Sequence, residues 1–231
     1  MSKNMDVSKR KQSIIAGGLI SSAGIFFAKF IGLFYAVPYN SMLGTADNLA
    51  YYGVAFNIYS YLLNICTAGF PFAIATLIAK YSTRGDYQTS LLIKKLSASL
   101  MTCFGFGMMI IVILFSSPLA ALVMPDEGDS VKTMQMVLIL ISFALFFVPL
   151  LSSIRGFYQG LKHMEIYALS QVLEQVARVA FLLSASAIAV YALHTDQVWA
   201  LYFGVISTSI SAILAIMHLK LYDKKQMREL K

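Results

Sequence analysis

Apolar and polar positions along this chain alternate on a long scale. Stretches of about twenty apolar residues are separated by short polar, mostly basic connections. About twenty residues of α-helix, rising 1.5 Å each, match the hydrocarbon thickness of a bilayer. The pattern therefore predicts six membrane-spanning helices, over residues 13–38, 50–79, 96–115, 131–154, 166–191 and 198–219. The expected class is an all-α polytopic membrane protein: a leader at 1–12, a six-helix lobe at 13–219 and a basic tail at 220–231.

Breakers refine this outline. Pro38 is expected to end the first span. Residues 67–71, T-A-G-F-P, interrupt a second span too long for one straight crossing and predict a bend, with Gly69 and Pro71 as hinge candidates. Residues 81–95 read as a basic amphipathic connector broken at Gly85 and lying along the membrane surface. Pro125 to Asp129 read as an acidic loop, and Pro149 as a possible bend in the fourth span. Arg155 and Gly156 begin a basic, glycine-punctuated turn between the fourth and fifth spans, the place for a cytoplasmic gate.

Polar residues inside spans are the candidate chemistry, because a charge in hydrocarbon costs several kcal/mol unless it faces a partner or water. In the first span Gly18, Ser22, Ile25, Lys29 and Gly32 recur at helical spacing, a small-residue stripe suited to close helix packing that ends in a cation. Lys29 either snorkels to the interface or meets a ligand anion. In the second span Asn57, Ser60, Asn64 and Thr67 form a polar stripe, either bonded to neighbouring helices or lining a water-filled cavity. In the fifth span Gln171, Glu174 and Arg178 share a face, with Glu174 and Arg178 at i and i+4. One reading is a self-neutralising intrahelical bridge. The other is a functional face that holds an anionic head group or exchanges partners, since a buried pair is no more stabilising than two leucines. The patch Ser207, Thr208, Ser209 and Ser211 in the sixth span suits packing against another helix.

Composition and charge narrow the class. The 231 residues are 58% hydrophobic and 13% charged, far from the roughly 25% charged of soluble domains. The net charge of +7 is distributed by side: Lys3, Lys80, Arg84, Lys94, Lys95, Arg155, Lys162 and the tail fall on one, while the other carries Lys132 beside Asp47, Asp126, Glu127, Asp129 and Asp196. By the positive-inside rule both termini are cytoplasmic, so the basic balance implies topology and no nucleic-acid partner. Cys66, Cys103 and the three histidines show no metal-ligand spacing. With no phosphate-binding loop, nucleophile elbow or zinc-protease helix in the sequence, we expect no catalytic residues, no cofactor and no enzyme.

Several of these segments together resemble a known family. Ala28-Lys29-Phe30-Ile31-Gly32 running to Tyr35-Ala36-Val37-Pro38-Tyr39 is similar to the S-[RK]-x-x-G…Y-x-[IV]-P pattern of the polysaccharide-biosynthesis flippases. So are Asn57-Ile58-Tyr59-Ser60, the run from Thr67 to Ala75, Arg155-Gly156-Phe157-Tyr158-Gln159-Gly160, and Ser170 to Arg178. Nearly the whole chain is covered, and it resembles the SpoVB/YtgP-type, MurJ-related branch of the multidrug/oligosaccharidyl-lipid/polysaccharide exporter superfamily. The resemblance implies a multi-pass flippase of the bacterial plasma membrane, whose substrate is a polyprenyl-diphosphate-linked sugar such as lipid II. It implies alternating access between two six-helix bundles. Lys29 then faces the diphosphate, with Asn57, Asn64, Glu174 and Arg178 around the substrate. Where the relatives carry further arginines, this sequence has residues such as Tyr35 and Leu62. Members run to roughly twice this length, with a second bundle, so the expected partners are the bilayer and either a second six-helix lobe or another copy. The alternatives are a drug/cation antiporter of the same fold and a non-transporting scaffold subunit of wall synthesis.

Overall fold

The computed structural model describes residues 18–19, 22–124 and 128–229, and side chains as far as Asp223. The leader, Pro125 to Glu127 of the acidic loop and the side chains of the basic tail lie outside the described residues. We label the helices α1 (Ser22–Leu43), α2 (Ala46–Thr67), α3 (Phe70–Ser82), α4 (Tyr87–Leu114), α5 (Ser116–Val123), α6 (Asp129–Gly160), α7 (Met164–Ala187, continued by a π-helical turn Ile188–Ala192) and α8 (Val198–Glu229). Among the described residues, six spans are long and apolar enough to cross a membrane: α1, α2 with α3, α4, α6, α7 with its π turn, and α8.

Local chemistry sets the helix ends. Gly44 takes φ +70° to close α1, its N–H reaching Asn40 O at 3.3 Å, and Thr45 then caps α2 by accepting from Asn48 N at 3.2 Å. Asp86 caps α4, accepting from Thr89 N at 2.9 Å and Thr89 Oγ1 at 2.6 Å. The bend expected at residues 67–71 is a full break: Gly69 sits at φ +70° between α2 and α3, and Pro71 lies in the first turn of α3, where its missing N–H costs nothing.

Three expectations about boundaries are corrected. Pro38 does not end the first span; it falls in the opening turn of the segment Ala36–Leu43, after a one-residue irregularity at Tyr35, where proline is tolerated. The connector expected at 81–95 is mostly helix, because α4 starts at Tyr87 directly after the Asp86 cap. Pro149 lies buried inside α6, with helix on both sides of it. The helix also runs on to Gly160, so Arg155 and Gly156 belong to its last turns and not to a loop.

Burial is uneven, with α6 and α8 forming the axis of the lobe. The most apolar parts of α6 and α8 are 56% and 61% buried, against 11–22% for the other spans. One core cluster gathers Tyr39, Leu43, Tyr59, Leu138, Leu145 and Leu201; a second, towards the other end, gathers Ile74, Ile78, Leu151, Phe157 and Leu219. Glycine permits the closest approaches. A Cβ on Gly105 of α4 would lie 2.6 Å from Leu145 O of α6, and one on Gly156 would lie 2.8 Å from Pro71 O. Between α4 and α6, Ser153 Oγ donates to Ser97 Oγ at 3.1 Å, and Tyr39 Oη ties α1 to Ala200 O of α8 at 3.1 Å. The hydroxyl patch of α8 is wholly buried, Ser207 and Ser211 bonding back to Gly204 O and Thr208 O.

Candidate functional site

The fifth span presents one polar face because it has no glycine or proline between Met164 and Ala187, so helical periodicity is unbroken. Tyr167, Gln171, Glu174 and Arg178 follow at steps of three or four, and Gln171 Nε2 donates to Tyr167 Oη at 3.1 Å. Arg178 Nη2 donates to Glu174 Oε1 at 3.1 Å, the i,i+4 bridge legible in the sequence. The structure adds a second arginine. Arg155 reaches across from α6, placing Nη1 2.8 Å from Glu174 Oε2 and Nε 2.7 Å from Ser170 Oγ, which in turn donates to Tyr167 O.

One carboxylate thus lies between two guanidiniums. Glu174 and Arg155 side chains are each 12% exposed and Arg178 is 22% exposed. The centre carries a formal +1, and two buried donors, Arg155 Nη2 and Arg178 Nε, have no hydrogen-bond partner. Tyr59 of α2 lies within electrostatic reach of both Glu174 and Arg178, and Tyr52 within reach of Arg178. A buried site with excess positive charge and unused donors can accept an anionic oxygen, or let Glu174 change partners. Among the described residues no group of three or more His, Cys, Asp or Glu is placed to hold a metal ion.

The remaining sequence-derived residues do not join this cluster. Lys29 is exposed on α1 and makes no ion pair among the described residues. The small-residue seam of α1 is offset from the stripe expected: Gly24 packs towards Ala168 and Val172 of α7, Ala28 is buried, and Gly32 faces Gln175. Lys29, one residue past Ala28, lies outside that seam, beside the exposed aromatics Phe26, Phe30 and Phe34. Asn57, Ser60 and Asn64 are exposed on α2, while Thr67 donates to Leu63 O within its own helix at 2.8 Å. Gly156 is a buried packing position against α3. Sequence reasoning missed Ser170 and Tyr59 as members of the site. Ser170 carried a usable signal, standing one turn before Glu174 on the same face; Tyr59 carried none, because only the approach of α2 to α7 brings it there.

Comparison with known proteins agrees with this architecture. Residues 14–230 match the family described as polysaccharide biosynthesis protein. The chain is 32% identical over 219 residues to the lipid II flippase MurJ of Bacillus subtilis (strain 168), covering 92% of this chain and 40% of that protein. It is 28% identical over 171 residues to stage V sporulation protein B of the same organism, covering 73% of this chain and 32% of that one. The chain thus spans well under half the length of these relatives. Among solved structures, an outward-facing multidrug resistance MATE family transporter of the MOP superfamily aligns with a TM-score of 0.69 at 16% identity, over 86% of this chain and 43% of that one. A MOP superfamily transporter from Pyrococcus furiosus aligns equally well, with a TM-score of 0.69. The fold is therefore that of one lobe of a MOP-superfamily transporter.

Proposed function

The chain belongs to the polysaccharide biosynthesis protein family, and from this we propose that it forms one lobe of a flippase for an undecaprenyl-diphosphate-linked cell-wall precursor, with lipid II as the substrate. It is a multi-pass protein of the bacterial plasma membrane, and its basic end, bearing Lys80, Arg84, Lys94, Lys95 and Lys162, faces the cytoplasm. The observation that carries the reading is the Arg155–Glu174–Arg178 centre: buried, net positive, and with two guanidinium donors left over. A diphosphate supplies the oxygens that such donors lack. A drug/cation antiporter would want an uncompensated carboxylate here, and Glu174 is compensated twice.

In this reading Lys29, Asn57 and Asn64 sit on the faces of α1 and α2 that a second six-helix lobe would cover, and meet the substrate there. Arg155, with Gly156 packed beneath it on Pro71, controls the cytoplasmic side. The break at Gly69 and Pro71 lets α3 tilt against α2 as the lobes rock. The test is translocation of lipid II in cells depleted of their own flippase, with this chain expressed alone or joined to the second bundle of a full-length relative. The fused protein should restore translocation, and Lys29→Ala or Arg178→Gln in it should reduce the rate at least tenfold. Full activity of both variants would overturn the assignment of these residues.

A further inference from the structure

At the basic end of the bundle lies a cavity of about 840 Å³ that is separate from the centre just described. It is bounded by the end of α3, the first turns of α4, the last turn of α6 with the turn that follows, and Asp223 of α8. Its floor is apolar, with Phe157 and Leu161, Leu91 forms part of its side, and its rim carries Lys94, Lys162 and His163.

The rim is built in a definite way. Lys94 Nζ lies 2.5 Å from Asp223 Oδ2 and 4.4 Å from the centroid of the Phe157 ring, and Tyr158 Oη donates to the other oxygen of Asp223. An ammonium has three donors, so this holds Lys94 in place and leaves donors for another acceptor. Lys162 is held at φ +65°, in the tight turn between α6 and α7, and forms no ion pair among the described residues. His163 is partnered by Glu165 at 3.1 Å. With Asp223 set against Lys94, Lys162 leaves the rim at +1 among the described residues. Two of its lining residues, Tyr87 and Leu91 of α4, are exposed on the flank of the bundle. A cationic rim above an apolar floor, at the end of a membrane span, suits a molecule that is part phosphate and part hydrocarbon. An aqueous anion would have no use for the floor.

We propose that this cavity binds the phosphodiester head group of an anionic phospholipid, with Lys162 and Lys94 on the phosphate and the glycerol-proximal acyl carbons against Leu91, Phe157 and Leu161. The test uses the full chain, purified and delipidated in neutral detergent, and measures retention by native mass spectrometry of phosphatidylglycerol or phosphatidylcholine added in mixed micelles. Phosphatidylglycerol should be retained in preference to phosphatidylcholine. Lys162→Glu should weaken its retention about tenfold, the order expected for reversing one basic residue at an anionic surface. Lys162→Asn, which suits the left-handed backbone and preserves the turn, should weaken it severalfold. Arg84→Glu, exposed on the same end but outside the cavity, should leave it nearly unchanged. The site is overturned if Arg84→Glu costs as much as Lys162→Glu, if phosphatidylcholine is held equally, or if both Lys162 variants bind like the parent. Inorganic phosphate added at the same concentration should not displace phosphatidylglycerol; if it does, the cavity takes free phosphate and the lipid assignment fails.

Discussion

Replacing Glu174 by Gln preserves shape and removes the single negative charge between Arg155 and Arg178. Each ion pair has its charge centres about 4 Å apart, a gross attraction of about 4 kcal/mol at an effective dielectric near 20. Desolvation offsets much of that in the intact centre, but removing one partner strands the others, and breaking a buried pair costs about 3–5 kcal/mol. For a chain of this size that corresponds to a loss of roughly 10 °C in melting temperature. Arg178→Gln should cost no more than about 2 kcal/mol, the scale of one hydrogen bond to a charged group, because it leaves the 2.8 Å Arg155–Glu174 pair standing. The diagnostic is the double variant: Glu174→Gln with Arg178→Gln removes one of the stranded cations and should melt higher than Glu174→Gln alone. Fluorescence-detected size-exclusion melting in detergent reads all three. A Glu174→Gln loss below about 2 °C, or a double variant that melts lower still, would refute the claim that this carboxylate is held between two arginines.

Other expectations follow from packing and caps. Gly105→Ala should destabilise by about 1–3 kcal/mol, since its Cβ would meet Leu145 O at 2.6 Å. Gly107→Ala, with nothing within 4 Å of the new methyl, should be neutral or stabilising by up to ~1 kcal/mol; paired melting curves test both. Ser97→Ala and Ser153→Ala should couple by about 0.6 kcal/mol in a double-mutant cycle, the average for hydrogen bonds between membrane helices. The hydrogen bonds from Thr89, the side chain first and the backbone next, hold the Asp86 carboxyl below the usual carboxylate range. Its contribution to stability is therefore complete above the unfolded value of ~3.9 and is lost as pH falls through the lower folded value. Asp86→Asn should accordingly lower the neutral plateau of the melting-temperature profile and flatten its acid limb, parent and variant converging at low pH.

The six spans were legible because hydropathy reports what lipid requires. Their ends were less so, because hydropathy stops at the first polar residue while a helix stops only at a breaker or a cap. That difference turned the last turns of α6 into a supposed loop and the first turns of α4 into a supposed connector. The Glu174–Arg178 bridge was legible from i,i+4 spacing alone. Arg155 was recognised as important but assigned to a gate, because its contact with Glu174 depends on how α6 crosses α7, which no local pattern encodes. The seam of α1 was misplaced by about one residue, since Gly18, Ser22 and Gly32 offer one stripe and Gly24, Ala28 and Gly32 another, and only the position of α7 chooses between them.

The contrast in burial between α6 and the span that follows it has a consequence for biosynthesis. With a mean hydropathy of 2.6, α6 can partition into the bilayer unaided as it leaves the ribosome, although over half of its apolar part ends up covered by protein. The next span, at 1.5, brings Glu174 and Arg178 into the membrane with it. By then Arg155, near the end of α6, already waits nineteen residues upstream of Glu174. The two segments are therefore suited to enter as a hairpin, with the ion pair forming during integration and α6 acting as the chaperone of the less hydrophobic helix behind it.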